Sequence, residues 1–310
     1  MMNANRSWWN EETVAVITGG NKGIGFEVCK QFANLGFRVI LTARDADRGQ
    51  KALVALRNEG FQTVSFHQLD VSNKASVADF ASWISQEHGH VDILVNNAGT
   101  NGVYVDELYV KENNMKLEDL LWSEQQSSKG FIVEYESAKA CMETNYYGAK
   151  HVIRALLPLL RSSSRGARII NVGSLFGQLH NLRSSKLQQE LADVDHLSDA
   201  LIDQVLEMYL NDVKQKIWED KGWPLKFPSY KMSKIALHAY TRLLATQLEK
   251  DVPKVFVNCV HPGFVRTDIT SGMGNISAQE GAENIVRVAL LPPNECPSGQ
   301  LFLEKKVGQF

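Results

Sequence analysis

The sequence predicts an α/β fold, a doubly wound parallel sheet with helices on both faces, held in a single domain. Three observations predict it. Short apolar, β-branched runs alternate with longer stretches of helical periodicity along most of the chain. The first of these runs leads into a glycine-rich turn that opens a helix. No internal repeat, low-complexity tract or linker divides the 310 residues. A tail is expected over residues 1–12 and the domain over 13–310.

The elements follow in order. Residues 14–17, Val-Ala-Val-Ile, read as a buried parallel strand. The turn is Thr18-Gly19-Gly20-Asn21-Lys22-Gly23-Ile24-Gly25, and residues 26–33 continue it with helical periodicity. Further strands are expected at 38–41, 64–67, 93–95, 169–172 and 255–260, with a short last one near 299–302. Helical patterns lie between them, for example at 74–87 and 230–248.

Composition bounds the function. A hydrophobic content of 44% and a charged content of 22% suit a soluble globular chain. A net charge of −2 gives no electrostatic reason to expect nucleic acid or an anionic membrane as partner. The first ten residues lack the apolar stretch of a signal peptide, and no run reaches membrane-spanning length, so a cytoplasmic location is expected. Cys29, Cys141, Cys259 and Cys296 are scattered, which favours buried free thiols over disulfides. His67, His88, His90, His180 and His261 show no metal-ligand spacing, and each reads as structural.

Strand, glycine turn and helix form a nucleotide site. Glycines let the backbone approach a pyrophosphate, and the helix N-terminus favours its charge. Gly19, Asn21, Lys22, Gly23, Ile24 and Gly25 are the candidates. An NAD site of this fold carries an acid at the end of the second strand; here the chain reads Leu41-Thr42-Ala43-Arg44. Arg44 can form a bidentate contact to a 2′-phosphate, and Lys22 can reach the same group, so NADP(H) is expected. The alternative for Arg44, a plain surface charge, does not account for the missing acid.

Tyr230 and Lys234 lie four residues apart, which on a helix puts them on one face. A phenol titrates near ~10, and a fixed cation beside it favours the phenolate. The pair alone is a weak signal.

Five motifs in order make it strong. Thr18 to Gly25 has the spacing Thr-Gly-x-x-x-Gly-x-Gly. Asn96-Asn97-Ala98-Gly99 follows the fourth strand, and Asn145 lies in Thr-Asn-Tyr-Tyr-Gly. Residues 168–174 end in Ser174, and Pro262-Gly263-Phe264-Val265-Arg266-Thr267-Asp268 follows the sixth strand. From about residue 13 onward the chain resembles the short-chain dehydrogenase/reductase family. The resemblance implies catalysis by Asn145, Ser174, Tyr230 and Lys234. Ser174 and Tyr230 would touch a carbonyl substrate, while Lys234 would hold the nicotinamide ribose and lower the pKa of Tyr230. Asn145 would hold a water that joins Lys234 to solvent. The resemblance also implies cofactor contacts from Asp70 and Val71 at the adenine, Asn97, Ala98 and Gly99 at the middle, and Pro262, Gly263, Val265 and Thr267 over the nicotinamide. One departure is Gly173, where relatives usually carry a second serine. It costs a hydroxyl near the site and leaves the catalytic position filled.

Two inserts exceed the minimal plan, at about 100–143 and 175–229. Asn145 follows Gly99 at about twice the usual family separation. The segment 106–137 is polar, with apolar points at Leu117, Leu120, Leu121, Trp122, Phe131 and Ile132; it reads equally as a lid over a pocket or as a solvated excursion. In the second insert, residues 198–217 form an amphipathic pattern with Ile202, Val205, Leu206, Tyr209, Val213 and Ile217 on one face, capped by Ser198 or Asp199. That stripe is expected to pack on the body. The long second insert resembles the monomeric carbonyl reductases and the plant group containing salutaridine reductase and the menthone reductases. Asp220-Lys221-Gly222-Trp223-Pro224 and Ala289-Leu290-Leu291-Pro292-Pro293 add to that resemblance, and Trp8-Trp9 and the first insert lean to the plant branch. The resemblance implies NADPH-dependent reduction of a ketone or aldehyde, with a terpenoid or alkaloid as the expected substrate class. Two alternatives stand beside it: ene reduction of a conjugated C=C bond, which a plant relative performs with Glu in place of the tyrosine, and non-catalytic NADP(H) binding. A monomer is expected, because the insert enters beside the helix that relatives use to form tetramers.

Overall fold

The computed structural model describes residues 7–102, 104–116, 119–120 and 128–310. Leu117, Leu121, Trp122 and the first six residues of the expected tail lie outside them. The parallel strands are β1 (Val14–Ile17), β2 (Arg38–Ala43), β3 (Val64–Gln68) and β4 (Ile93–Asn96), then β7 (Ala167–Val172), β8 (Val255–His261) and β9 (Leu301–Leu303). A closing strand, β10 (Lys306–Gly308), pairs antiparallel with β9. The order is β10-β9-β8-β7-β4-β1-β2-β3. Every pairing but the last is parallel. The sheet matches the expected doubly wound plan. Most strands run one or two residues beyond the apolar runs, because polar residues such as Gln68 and Asn96 continue the ladder. The antiparallel β10 was not anticipated from the sequence, because its three residues carry no apolar pattern.

Alternate residues of each central strand face opposite layers. Val14 and Val16 join one core cluster, and Ala15 and Ile17 the other. Helices cover both faces, so β1 and β7 are buried along their full length. Trp8 is nearly buried, and the Arg168 guanidinium is sandwiched 4.2 Å from both the Trp8 and Phe256 rings. The expected tail is therefore anchored from residue 8 onward. All four cysteines are free and buried.

The chain leaves β1 towards β2 and β3, then returns to β4 on the other side of β1. That reversal opens a crevice at the carboxyl ends of β1 and β4, the usual ligand position in such sheets.

In the second insert a helix over Asp199–Lys214 is capped by Ser198, whose hydroxyl accepts from the Leu201 amide at 3.2 Å. It buries Ile202, Val205, Leu206, Tyr209 and Val213. At about 1.5–3 kcal/mol per buried large apolar side chain, the stripe contributes on the order of 10 kcal/mol before ordering costs. Ile217 lies past the helix end and is exposed, which removes it from the stripe. The insert is also pinned by charge. Lys150 is buried on the helix Ala149–Arg161, and its Nζ lies 2.9 Å from both Asp199 and Asp203 of the insert helix. Neutralisation on both sides makes that burial tolerable. The expectation that the stripe packs on the body holds.

The first insert forms a two-stranded hairpin, β5 (Tyr104–Val105) with β6 (Phe131–Ile132), and a short helix over Glu107–Glu112. The helix Pro228–Gln247, which carries Tyr230, begins with Pro228 in its first turn. Sixteen of its twenty residues are buried. No helix among the described residues is long and apolar enough to cross a membrane.

Candidate active site

The glycine turn is held from β4. Asn97 Nδ2 donates to the carbonyls of Thr18 at 2.9 Å and Gly19 at 3.1 Å. In return, Thr18 Oγ1 accepts from the amides of Asn97 and Ala98, both at 3.0 Å. The approach is so close that a Cβ at Gly25 would lie 2.4 Å from Asn97 Nδ2. Glycine at position 25 is thus a steric requirement of the loop.

Along the crevice from this turn lies a cluster of cations. Ala43 is buried at the end of β2, and Arg44 after it is exposed, its carbonyl accepting from Gln68 Nε2 at 2.9 Å. A shallow depression beside the turn is lined by Asn21, Lys22, Gly23, Arg48, Lys51 and Asp268. Lys22 forms an ion pair with Asp268, which lowers the carboxyl pKa from its ordinary value. Both side chains are largely exposed, so the pair adds little stability. Arg48 and Lys51, on the helix Ala46–Asn58 that follows Arg44, were absent from the sequence reading. Asp70 Oδ1 accepts from the Ser72 amide at 3.0 Å and the Ser72 hydroxyl at 2.6 Å, and Val71 packs against Gly148.

At the other end, the helix Pro228–Gln247 crosses the end of β7. The Tyr230 side chain faces Ser174, which acts to lower the phenol pKa. Ser174 Oγ accepts from the Phe176 amide at 3.2 Å. One turn along, Lys234 Nζ donates to the Val172 carbonyl at 2.7 Å and lies 5.6 Å from the Tyr230 ring centroid. Burial pushes the Tyr230 phenol up to about 12, against a smaller opposing effect of Ser174. It also lowers the Lys234 ammonium. The expected lowering of the phenol is not seen, because desolvation of the phenolate dominates and only Ser174 opposes it.

Asn145 sits in a π turn over Glu143–Gly148 and is buried. Its Oδ1 accepts from the Thr100 amide at 2.8 Å, and its Nδ2 donates to the Thr100 carbonyl at 2.8 Å and to Ser233 Oγ at 2.9 Å. The side chain joins the end of β4 to the Tyr230 helix. A π turn of this kind is common at functional sites.

Ser174, Tyr230 and Lys234 open on a cavity of about 280 Å³. Its floor carries Ile24, Asn97 and Gly99, and the loop after β8 contributes Pro262, Gly263, Val265 and Thr267. The remaining wall is mostly apolar: Val105 from the first insert, Phe176 and Phe227 from the second, and Ile269 and Met273 beyond β8. Phe227 stacks 5.6 Å from Phe176 and lies 5.2 Å from Phe131. Lys226 Nζ donates to the Leu120 carbonyl at 3.2 Å. The two inserts thus meet beside the cavity, although among the described residues of 106–137 none lines it. His261 also lines the cavity, and burial lowers its pKa to about 4, which keeps it neutral. The sequence reading set His261 aside and missed the Phe227 wall, because insert residues carry no register of their own. Of the expected site residues, Gly19, Asn21, Lys22, Gly23, Gly25, Arg44, Asp70, Val71, Ala98 and Asn145 do not line this cavity. Among the described residues no group of His, Cys, Asp and Glu has metal-binding geometry.

Comparison with known proteins places this geometry. A family model described as short chain dehydrogenase matches residues 13–186, and one described as enoyl-(acyl carrier protein) reductase matches 217–304. The chain is 42% identical over 310 residues to (+)-neomenthol dehydrogenase of Capsicum annuum, covering 96% of this chain and 97% of that one. The structure of salutaridine reductase from Papaver somniferum superposes with a TM-score of 0.83 at 41% identity, over 94% of this chain and all of that one. Carbonyl reductase (NADPH) 1 of Mus musculus is 34% identical, covering 95% of this chain and 97% of its own. With Tyr230, Ser174 and Lys234 meeting at the end of β7 as the motifs foretold, the chain belongs to the short-chain dehydrogenase/reductase family and is an oxidoreductase of carbonyl and alcohol groups.

Proposed function

We propose that the protein reduces a ketone or aldehyde to an alcohol with NADPH, on a neutral, apolar metabolite of the terpenoid or alkaloid kind. The observation that carries this reading is Tyr230 beside Ser174 at the wall of a mostly apolar cavity. Among the described residues Lys234 is the only charged one on that wall. A charged substrate would have no partner there and would be costly to desolvate.

The crevice fits a phosphorylated dinucleotide. The tight turn from Thr18 to Gly25 and the start of the first helix suit a pyrophosphate. Arg44, Arg48 and Lys22 suit a 2′-phosphate, and no acid stands at position 43. Asp70 and Val71 would flank the adenine. Asn97, Ala98 and Gly99 would line the middle of the cofactor, and Pro262 to Thr267 would lie over the nicotinamide. When bound, NADPH supplies hydride to the carbonyl carbon.

The protein's own part is to handle the oxygen. Ser174 Oγ and the Tyr230 hydroxyl converge where negative charge develops, and both donate to it. Tyr230 gives up its proton as general acid, and its raised pKa keeps that proton in place at neutral pH. Lys234 stands one turn away to hold the nicotinamide ribose and to balance the phenolate. The Asn145 side chain is committed to Thr100 and Ser233, so its backbone is left to hold a relay water.

An intact Tyr230 favours carbonyl over ene reduction, and a complete catalytic set argues against a merely binding role. The insert helix covers the Pro228–Gln247 face that relatives use for assembly, which supports a monomer. NADPH consumption against ketones, conjugated enals and substrate-free buffer tests the reading. Turnover confined to ketones or aldehydes is expected; turnover only on conjugated C=C bonds, or none with any carbonyl, would overturn it. Light scattering should give a mass near 34.7 kDa.

A further inference from the structure

Tyr230, Lys234 and His238 recur at four-residue spacing on one helix and therefore form one stripe. All three meet the end of β7. Tyr230 faces Ser174, Lys234 Nζ donates to the Val172 carbonyl, and His238 Nε2 accepts from the Ser174 amide at 3.4 Å. The Ser174 carbonyl accepts from the Gly177 amide at 2.9 Å. The serine backbone is thus held on both sides, and its amide, just past the last rung of the parallel ladder, is met by an imidazole.

That imidazole is enclosed. His238 is 1% exposed, and the Phe310 ring lies edge-on at 5.6 Å. Accepting at Nε2 requires the neutral ring with its proton on Nδ1. Burial lowers the pKa of His238 to about 3, which keeps the ring neutral at every working pH.

Two glycines make room for it. A Cβ at Gly177 would lie 2.4 Å from His238 Cε1, and the three nearest atoms to that Cβ all belong to the His238 ring. A Cβ at Gly173 would lie 2.5 Å from His238 Nε2 and 2.4 Å from Cys259 Sγ. Gly173 is the position where relatives usually carry a serine, so the missing hydroxyl and the buried ring occupy the same space.

We propose that His238 is a positioning residue for Ser174: it fixes the serine backbone from the helix that carries Tyr230, in the space left by Gly173 and Gly177. The inference rests on the reading of Ser174 as a catalytic hydroxyl. Ser174→Ala tests that reading separately, since it should remove most turnover whatever His238 does.

The test measures kcat for a carbonyl substrate and the NADPH Kd for five proteins: wild type, His238→Ala, His238→Gln, Gly177→Ala, and the double variant Gly177→Ala/His238→Ala. Loss of one hydrogen bond that places a catalytic group is expected to lower kcat about tenfold in His238→Ala. The NADPH Kd should stay within twofold. Gln offers a carbonyl acceptor at similar reach and should restore most of the loss. Gly177→Ala should lower kcat by displacing the ring, and the double variant should be no worse than His238→Ala, because the added methyl enters the space of the ring. A kcat for His238→Ala within twofold of wild type, while Ser174→Ala is inactive, would overturn the proposal. So would strictly multiplicative losses in the double variant, or equal losses for Ala and Gln. Should His238→Ala fail to fold, His238→Gln and Gly177→Ala still decide it.

Discussion

At one end of the crevice Ser174, Lys234 and Asn145 are buried, with hydrogen bonds met by protein groups; at the other, Arg44, Arg48 and Lys22 stand in solvent. The first arrangement is rigid. Each side chain is held before any ligand arrives, so little reorganisation is left for the reaction itself. The second is adaptable: its cations are exposed, the Lys22–Asp268 pair included, and salt screens them. Under the proposed function, the buried end would govern the rate and the cationic end would govern which dinucleotide binds.

The largest effect should come from the buried end. Tyr230→Phe removes one hydroxyl and should lower kcat on the order of 10²-fold or more, with NADPH binding unchanged. Steady-state kinetics with fluorescence titration of NADPH would check it; turnover within a few-fold of wild type breaks the contrast.

The next effect is a pH signature of burial. His238 and His261 both lie at this end, with pKa values lowered to about 3 and about 4 by desolvation. Unfolding returns each ring to an ordinary value near ~6.5, so the unfolded chain binds protons that the folded one refuses. Stability should be full above pH ~6.5 and fall as pH drops towards the folded values, by roughly 2 kcal/mol per histidine at pH 5. Urea unfolding at pH 7 and pH 5 measures this, and His261→Gln should reduce the difference. A pH-independent midpoint would show that the rings reach solvent.

The smallest effect belongs to the exposed end. Arg44→Ala should raise the KM for NADPH about tenfold, with little change for NADH, and added salt should weaken NADPH binding less in the variant than in wild type. Equal loss with both cofactors would make Arg44 structural and sharpen the contrast differently.

The sheet and the catalytic trio were legible because each rests on local pattern. β1 is a continuous apolar run, the turn after it is glycine-rich, and Tyr230 and Lys234 carry their own spacing. Strand ends were less legible: Asn96 is polar in sequence yet ends β4 in the core, where its Nδ2 donates to Asn171 Oδ1 at 2.9 Å. The cavity wall was not legible at all. Phe227, Phe176 and Val105 come from different inserts, and only tertiary contact brings them together. Burial also reversed one electrostatic expectation, since the Lys234 charge is adjacent in sequence terms while the desolvation of Tyr230 is a property of the packed site.

The helix that carries Tyr230, Lys234 and His238 has no solvent stripe, because the insert helix covers the face that the rest of the body leaves open. Its amides should therefore be among the slowest to exchange with deuterium, opening only when the whole domain opens. Loss of activity on heating should then coincide with loss of the fold. No partly opened, inactive form would precede it, and a protease would find the catalytic helix last.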